Sequence, residues 1–113
     1  MATTAAIETK ETVYPLPLFR TITITNQDPS PNGRVEVTPN AGRIIFQNND
    51  PLEYRIRLYK PNTDPNADGI DLLLPANGLL SVIIRKDDEF NYSVMATNTM
   101  LAADGRGGGP ITN

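Results

Sequence analysis

The sequence predicts an all-β protein, an antiparallel β-sandwich of about six to seven short strands. Three observations carry that reading. Apolar residues alternate with polar ones over several short stretches, the period of a strand with one buried face. Clusters of Asn, Asp, Pro and Gly separate those stretches at intervals of roughly 8–12 residues. No helical period is sustained, and ten prolines and eight glycines leave little room for one. A chain of 113 residues is the size of one domain with one core.

Residues 1–12 are small and polar and read as a tail. The stretch Val13-Tyr14-Pro15-Leu16-Pro17-Leu18-Phe19 is apolar, but its two prolines exclude a helix or a central strand. It reads as an extended arm, so residues 1–19 form an N-terminal tail and arm. The sandwich is expected over 20–103. Ile22 and Ile24 alternate with threonines, and Val35 and Val37 with Arg34 and Glu36. Between them, Asn26 to Gly33 reads as a turn. Ile44-Ile45-Phe46 suits a buried strand that ends at the turn Asn48-Asn49-Asp50-Pro51. Tyr54, Ile56 and Leu58 alternate with Arg55, Arg57 and Tyr59. After a polar loop from Pro61 to Gly69 come Leu72-Leu73-Leu74 and a tight turn at Asn77-Gly78. Leu80, Val82 and Ile84 make the next strand, and Phe90, Tyr92, Val94 and Ala96 the last clear one. Residues 104–113 are rich in glycine and read as a flexible C-terminal tail.

Composition removes several function classes. Ten basic against thirteen acidic residues give a net charge of -3, so the chain has no bulk attraction to nucleic acid. No apolar run approaches the ~20 residues of a membrane span. Met1 to Lys10 has no signal-peptide pattern. The compartment is cytoplasmic if Met1 is the native start, and extracellular or periplasmic if a signal has been removed. The chain contains neither cysteine nor histidine. Ser–His–Asp and Cys–His nucleophiles are therefore impossible. Structural zinc, blue-copper and haem centres lose their usual ligands. No acid–base pair is identifiable from spacing, so the chain reads as a non-enzyme.

The sharpest local motif is Asp64-Pro65-Asn66-Ala67-Asp68-Gly69-Ile70-Asp71. Oxygen ligands at alternate positions of a tight loop can converge on a hard cation. The candidate calcium ligands are Asp64, Asn66, Asp68, the Ile70 carbonyl and Asp71. Pro75 stands where the twelfth-position Glu of a calcium loop belongs, which leaves an ordinary polar turn as the competing reading. Asp87-Asp88-Glu89 beside Arg85 and Lys86 reads as a solvated turn. Arg55 and Arg57 share one strand face and read as solvent-facing. Asp104 to Pro110 has glycine content but lacks the Lys-Ser/Thr of a phosphate loop. Tyr54, Tyr59, Phe90 and Tyr92 read as core and edge packing before a glycan platform.

Phe46-Gln47-Asn48-Asn49-Asp50, Leu74-Pro75-Ala76-Asn77-Gly78 and Phe90-Asn91-Tyr92-Ser93-Val94 occur in that order. Over Gly42 to Val94 this succession resembles a cupredoxin. The resemblance implies a Greek-key sandwich. It also locates the family's copper ligands, and none of the strong ones is present. Tyr54 lies near the first histidine position, Val94 takes the cysteine position, and Thr97 or Asn98 lies near the second histidine. Met100 alone imitates the axial methionine. An immunoglobulin-like sandwich has the same strand rhythm, but the chain has no Trp and no Cys to supply that signature.

The expected role is a non-catalytic binding or homo-oligomeric assembly module. The interface is expected at Val13, Tyr14, Leu16, Leu18 and Phe19, which are too apolar to be left in water. The alternative is a calcium-stabilised extracellular or surface module for adhesion or glycan binding. No other cofactor is expected, and the sequence names no small-molecule or glycan ligand.

Overall fold

The computed structural model describes residues 19–37 and 41–113. It is a two-sheet sandwich, as the alternation predicts. The strands are β1 (Phe19–Thr25), β2 (Asp28–Ser30), β3 (Val35–Glu36), β4 (Ala41–Asn48), β5 (Tyr54–Tyr59), β6 (Ile70–Leu74), β7 (Leu79–Arg85), β8 (Glu89–Ala96) and β9 (Arg106–Thr112). A one-turn helix, α1 (Pro65–Asp68), precedes β6, and a 3-10 turn spans Ala102–Asp104. The first sheet has the order β2-β1-β4-β7 and the second β3-β9-β8-β5-β6.

The structure corrects the sequence reading in four places. Both sheets are mixed, because β1 runs parallel to β4 and β3 parallel to β9. Period-two alternation reports a buried face and is silent on strand direction. The proline-bearing stretch read as a turn contains β2, whose three residues pair with β1. The glycine-rich segment expected as a tail is β9, paired to β8 and β3, with Ile111 fully buried. Its glycines have a packing reason. A Cβ on Gly108 would collide with the Tyr92 ring, and Gly109 has φ +106, a conformation other residues rarely adopt. Finally, Arg57 is buried, although the sequence reading assigned it to solvent.

The core lies between the sheets. Ile22, Ile24, Ile44, Phe46 and Ile84 of the first sheet face Tyr54, Ile56, Leu58, Leu74, Tyr92, Val94 and Ile111 of the second, and all are buried. Each such aliphatic or aromatic side chain contributes roughly 1.5–3 kcal/mol when fully buried. Phe46 and Tyr92 meet edge to face across the sandwich, with ring centroids 5.2 Å apart. The outer face of β8 is covered as well, since Ser93 and Met95 are buried together with Ala102 of the 3-10 turn. Asn77, at φ 53, makes the tight β6–β7 turn that its sequence predicts.

Among the described residues, the two sides of the sandwich end differently. On one side the edge strands are β2, three residues long with Pro29 at its centre, and β3, two residues long. On the other side they are β6 and β7, five and seven residues long and free of proline. The arm expected over 13–19 lies outside the described residues except for Phe19, which opens β1 and is half exposed.

Candidate functional site

Three features bear on function: a hydrogen-bonded seal at one end of the sandwich, an ion-pair cluster on the outer face of the second sheet, and the open β6/β7 side.

The seal is built on Asn48, the last residue of β4, and Asp50, in the turn that follows. The Asn48 side-chain amide donates to the carbonyls of Leu52 (2.7 Å) and Pro75 (3.0 Å), and its oxygen accepts the Asp50 N–H (2.8 Å). One buried side chain thereby ties its own turn to the β6–β7 turn. The Asp50 carboxylate accepts the N–H groups of Asn26 and Gln27, each at 2.9 Å, and the Tyr54 hydroxyl at 2.7 Å. Asn26 and Gln27 both have positive φ, so the β1–β2 turn is held by a carboxylate from another loop. The Tyr54 hydroxyl and the two backbone donors hold the Asp50 carboxyl below its ordinary range. Burial, together with that carboxylate, pushes Tyr54 up to about 12.

The ion-pair cluster joins β5 to β6. Arg57 binds Asp71 through two parallel bonds, Nε to Oδ1 at 2.5 Å and Nη2 to Oδ2 at 2.8 Å. Its Nη1 donates to the Met100 carbonyl (3.2 Å) and the Asn66 side-chain oxygen (3.4 Å). The hydrogen bond from Arg57 holds the Asp71 carboxyl below its ordinary range. Arg55 gives Asp71 a second partner through Nη1 (3.0 Å), while its Nε and Nη2 are buried and make no hydrogen bond among the described residues.

The candidate calcium residues are divided between these structures. Asp64 caps α1, with Oδ1 accepting the Asn66 N–H. The Asn66 side-chain oxygen is occupied by the Ala102 N–H at 2.7 Å and by Arg57. Asp68 is exposed at the end of α1, Ile70 opens β6, and Asp71 belongs to the arginines. Among the described residues, no group of three or more acidic side chains gathers around a common point. The Asp87–Glu89 run is a turn, with Asp87 at φ 68 and the Asp88 carboxylate accepting the Arg85 N–H.

The open side is apolar. A cleft of about 310 Å³ opens there, lined by Leu58, Ile70, Leu72, Val82, Ile83 and Phe90, with Arg85 and Asp88 at its margin. Ile70 and Ile83 in its lining, and Leu73 and Leu79 of the same two strands, are each more than half exposed. Sequence reasoning identified these strands but could not see that both lie at sheet edges, which depends on long-range pairing.

Among solved structures, the chain is similar to a variant amicyanin in its reduced Cu(I) form at pH 4. The TM-score is 0.55 at 7% identity, covering 80% of this chain and 79% of that one. It is also similar to a purple cupredoxin from Nitrosopumilus maritimus, with TM-score 0.55 and 16% identity, over 81% of this chain and 98% of that one. The fold is cupredoxin-like. No family model matches the chain, and no curated protein matches it.

A cupredoxin-like fold raises the matter of copper, and the residues present do not fit a blue-copper centre. The chain has no thiolate or imidazole to offer. Tyr54, near the first ligand position, is committed to Asp50. Val94 is buried in the core, and Thr97 and Asn98 are exposed. Met100 is 70% exposed, and its carbonyl serves Arg57.

Proposed function

We propose that this cupredoxin-like domain is a non-catalytic, homo-oligomeric assembly module whose contact surface is the β6/β7 side. The observation that carries the reading is the asymmetry of the sandwich edges. Short strands and Pro29 blunt the β2/β3 side, the usual protection against edge pairing. The β6/β7 side has neither device. It offers a seven-residue edge strand, β7, with Leu79 and Ile83 exposed and an apolar cleft beside it. Contiguous exposed apolar surface rimmed by polar groups marks interaction sites. The non-catalytic part is supported by two pairs of ionisable groups held in structural bonds, Asp50 with Tyr54 and Arg57 with Asp71.

The test is sedimentation or light scattering on the full chain over a wide concentration range. Assembly is expected, together with a weaker complex for Ile83→Lys, which places a charge on the exposed β7 face while leaving the core intact. A chain that stays monomeric throughout refutes the reading.

A further inference from the structure

The β7 edge is a place for another strand, and the residues before β1 have the pattern of a strand that can pair on one side only. In an extended chain, the N–H and C=O of alternate residues point to the same edge. Over 13–18 the odd positions include Pro15 and Pro17, whereas Tyr14, Leu16 and Leu18 retain their N–H groups. An extended segment would therefore have one edge with donors at 14, 16 and 18 and one edge stripped of donors by the two prolines. The same alternation would put Tyr14, Leu16 and Leu18 of such a segment on one face and both prolines on the other. We propose that residues 14–18 of one copy add as an edge strand to β7 of a second copy, with Tyr14, Leu16 and Leu18 laid over the β6/β7 cleft. This rests on the assembly reading above and names its occupant.

Chain length favours a second copy over the same chain. Residue 18 ends where β1 begins, and Phe19 is paired with Arg43 of β4, which in turn is paired with Ile83 of β7. The start of β1 is thus at the same end of the sheet as Ile83, with β4 and β7 between it and the free edge. Reaching a new strand position beyond β7 means crossing three strand spacings, ~14 Å. That takes about four extended residues at ~3.4 Å each, before any reversal of direction. Residues 15–18 would be used up in the crossing and could not also pair along β7 of their own domain. From a neighbour there is no such constraint. The stripped edge then faces outward, so the added strand completes the sheet without creating a new template. Exchange of a segment between identical copies is a low-cost route to closed assemblies.

The test uses the full chain and exploits its lack of cysteine. L16C and V82C chains are mixed under oxidising conditions and compared with the L16C/V82C double variant. A parallel L16D/L18D variant is sized by sedimentation, with its fold checked by circular dichroism. The expected results are a disulfide-linked product of two chains in the mixture, and an assembly weakened by at least about tenfold in L16D/L18D, the order expected for one buried leucine. A disulfide formed only within single chains of the double variant overturns the second copy as source. An unchanged assembly in L16D/L18D overturns the segment as occupant and leaves the β6/β7 reading standing. A monomeric parent chain overturns both.

Discussion

Replacing Asp50 by alanine should be among the most damaging polar substitutions in the domain. The carboxylate accepts three hydrogen bonds: from Tyr54 at 2.7 Å and from the Asn26 and Gln27 amides at 2.9 Å each. Hydrogen bonds to a charged group contribute about 1.5–3 kcal/mol each, so a simple sum overshoots what is measured. Asn26 is exposed and Gln27 half buried, so water replaces part of what those amides lose. The Tyr54 residue is only 4% exposed, and its hydroxyl would be left without a partner. The net cost is therefore about 3–5 kcal/mol, a large share of the 5–15 kcal/mol typical of a domain. Asp50→Asn keeps one acceptor and should cost about 2 kcal/mol. Tyr54→Phe leaves Asp50 with both amides and should cost about 1 kcal/mol. Urea unfolding followed by circular dichroism and tyrosine fluorescence measures all three. Asp50→Ala within about 1 kcal/mol of the parent, or less damaging than Tyr54→Phe, would refute the seal as described.

The same groups set a pH dependence. Asp50 and Asp71 have carboxyls held below 3.8 in the fold, so their contribution is complete above the ordinary carboxylate range and drains as pH falls through the depressed values. Tyr54 runs the other way: held at about 12 against 10.0 unfolded, it contributes fully below pH 10 and loses that contribution as pH rises toward 12. Melting temperatures should fall across that alkaline window, less steeply in Tyr54→Phe; equal slopes would show that Tyr54 is not the group responsible. Asp71→Asn leaves two guanidiniums facing a neutral amide and should cost about 2 kcal/mol, discounted for the partial exposure of Asp71. Arg55→Met should be neutral or stabilising in the same denaturant titration, because it removes two unpaired buried donors while Arg57 retains Asp71. Millimolar calcium should leave the melting temperature unchanged, since Asn66 and Asp71 are bound elsewhere; a rise of several degrees would show that the loop rearranges around the ion.

The sandwich was legible because its signals are local. Alternation at Ile22 and Ile24 or at Tyr54, Ile56 and Leu58 identifies the buried faces directly, and Asn77-Gly78 marks its turn by backbone preference. What stayed hidden depends on partners distant in sequence. Nothing near Arg57 announces that Asp71 lies across a strand pair, or that the Met100 carbonyl closes over it. Asn48-Asn49-Asp50-Pro51 reads as a turn and is one, but its two buried side chains bind the β6–β7 and β1–β2 turns, which only tertiary structure brings near. The β9 segment differs from the expected tail because glycine usually signals slack. Here it signals proximity, since Gly108 leaves the space that the Tyr92 ring fills.

The end seal and the open side also bear on one another. In a cupredoxin-like sandwich, the end carrying Tyr54 is where the family resemblance would put ligand chemistry, and here it is spent on holding turns together. Asp50, Tyr54 and Asn48 are engaged with one another and with the neighbouring backbone there. On the β6/β7 side, by contrast, the described residues leave the outer edges of β6 and β7 without a further strand, beside a cleft lined by Ile70, Leu72 and Val82. A polypeptide segment supplies backbone pairing and cover at once, whereas a small apolar ligand would supply only the cover. On that difference the proposed occupant of this edge is a protein strand and not a small molecule.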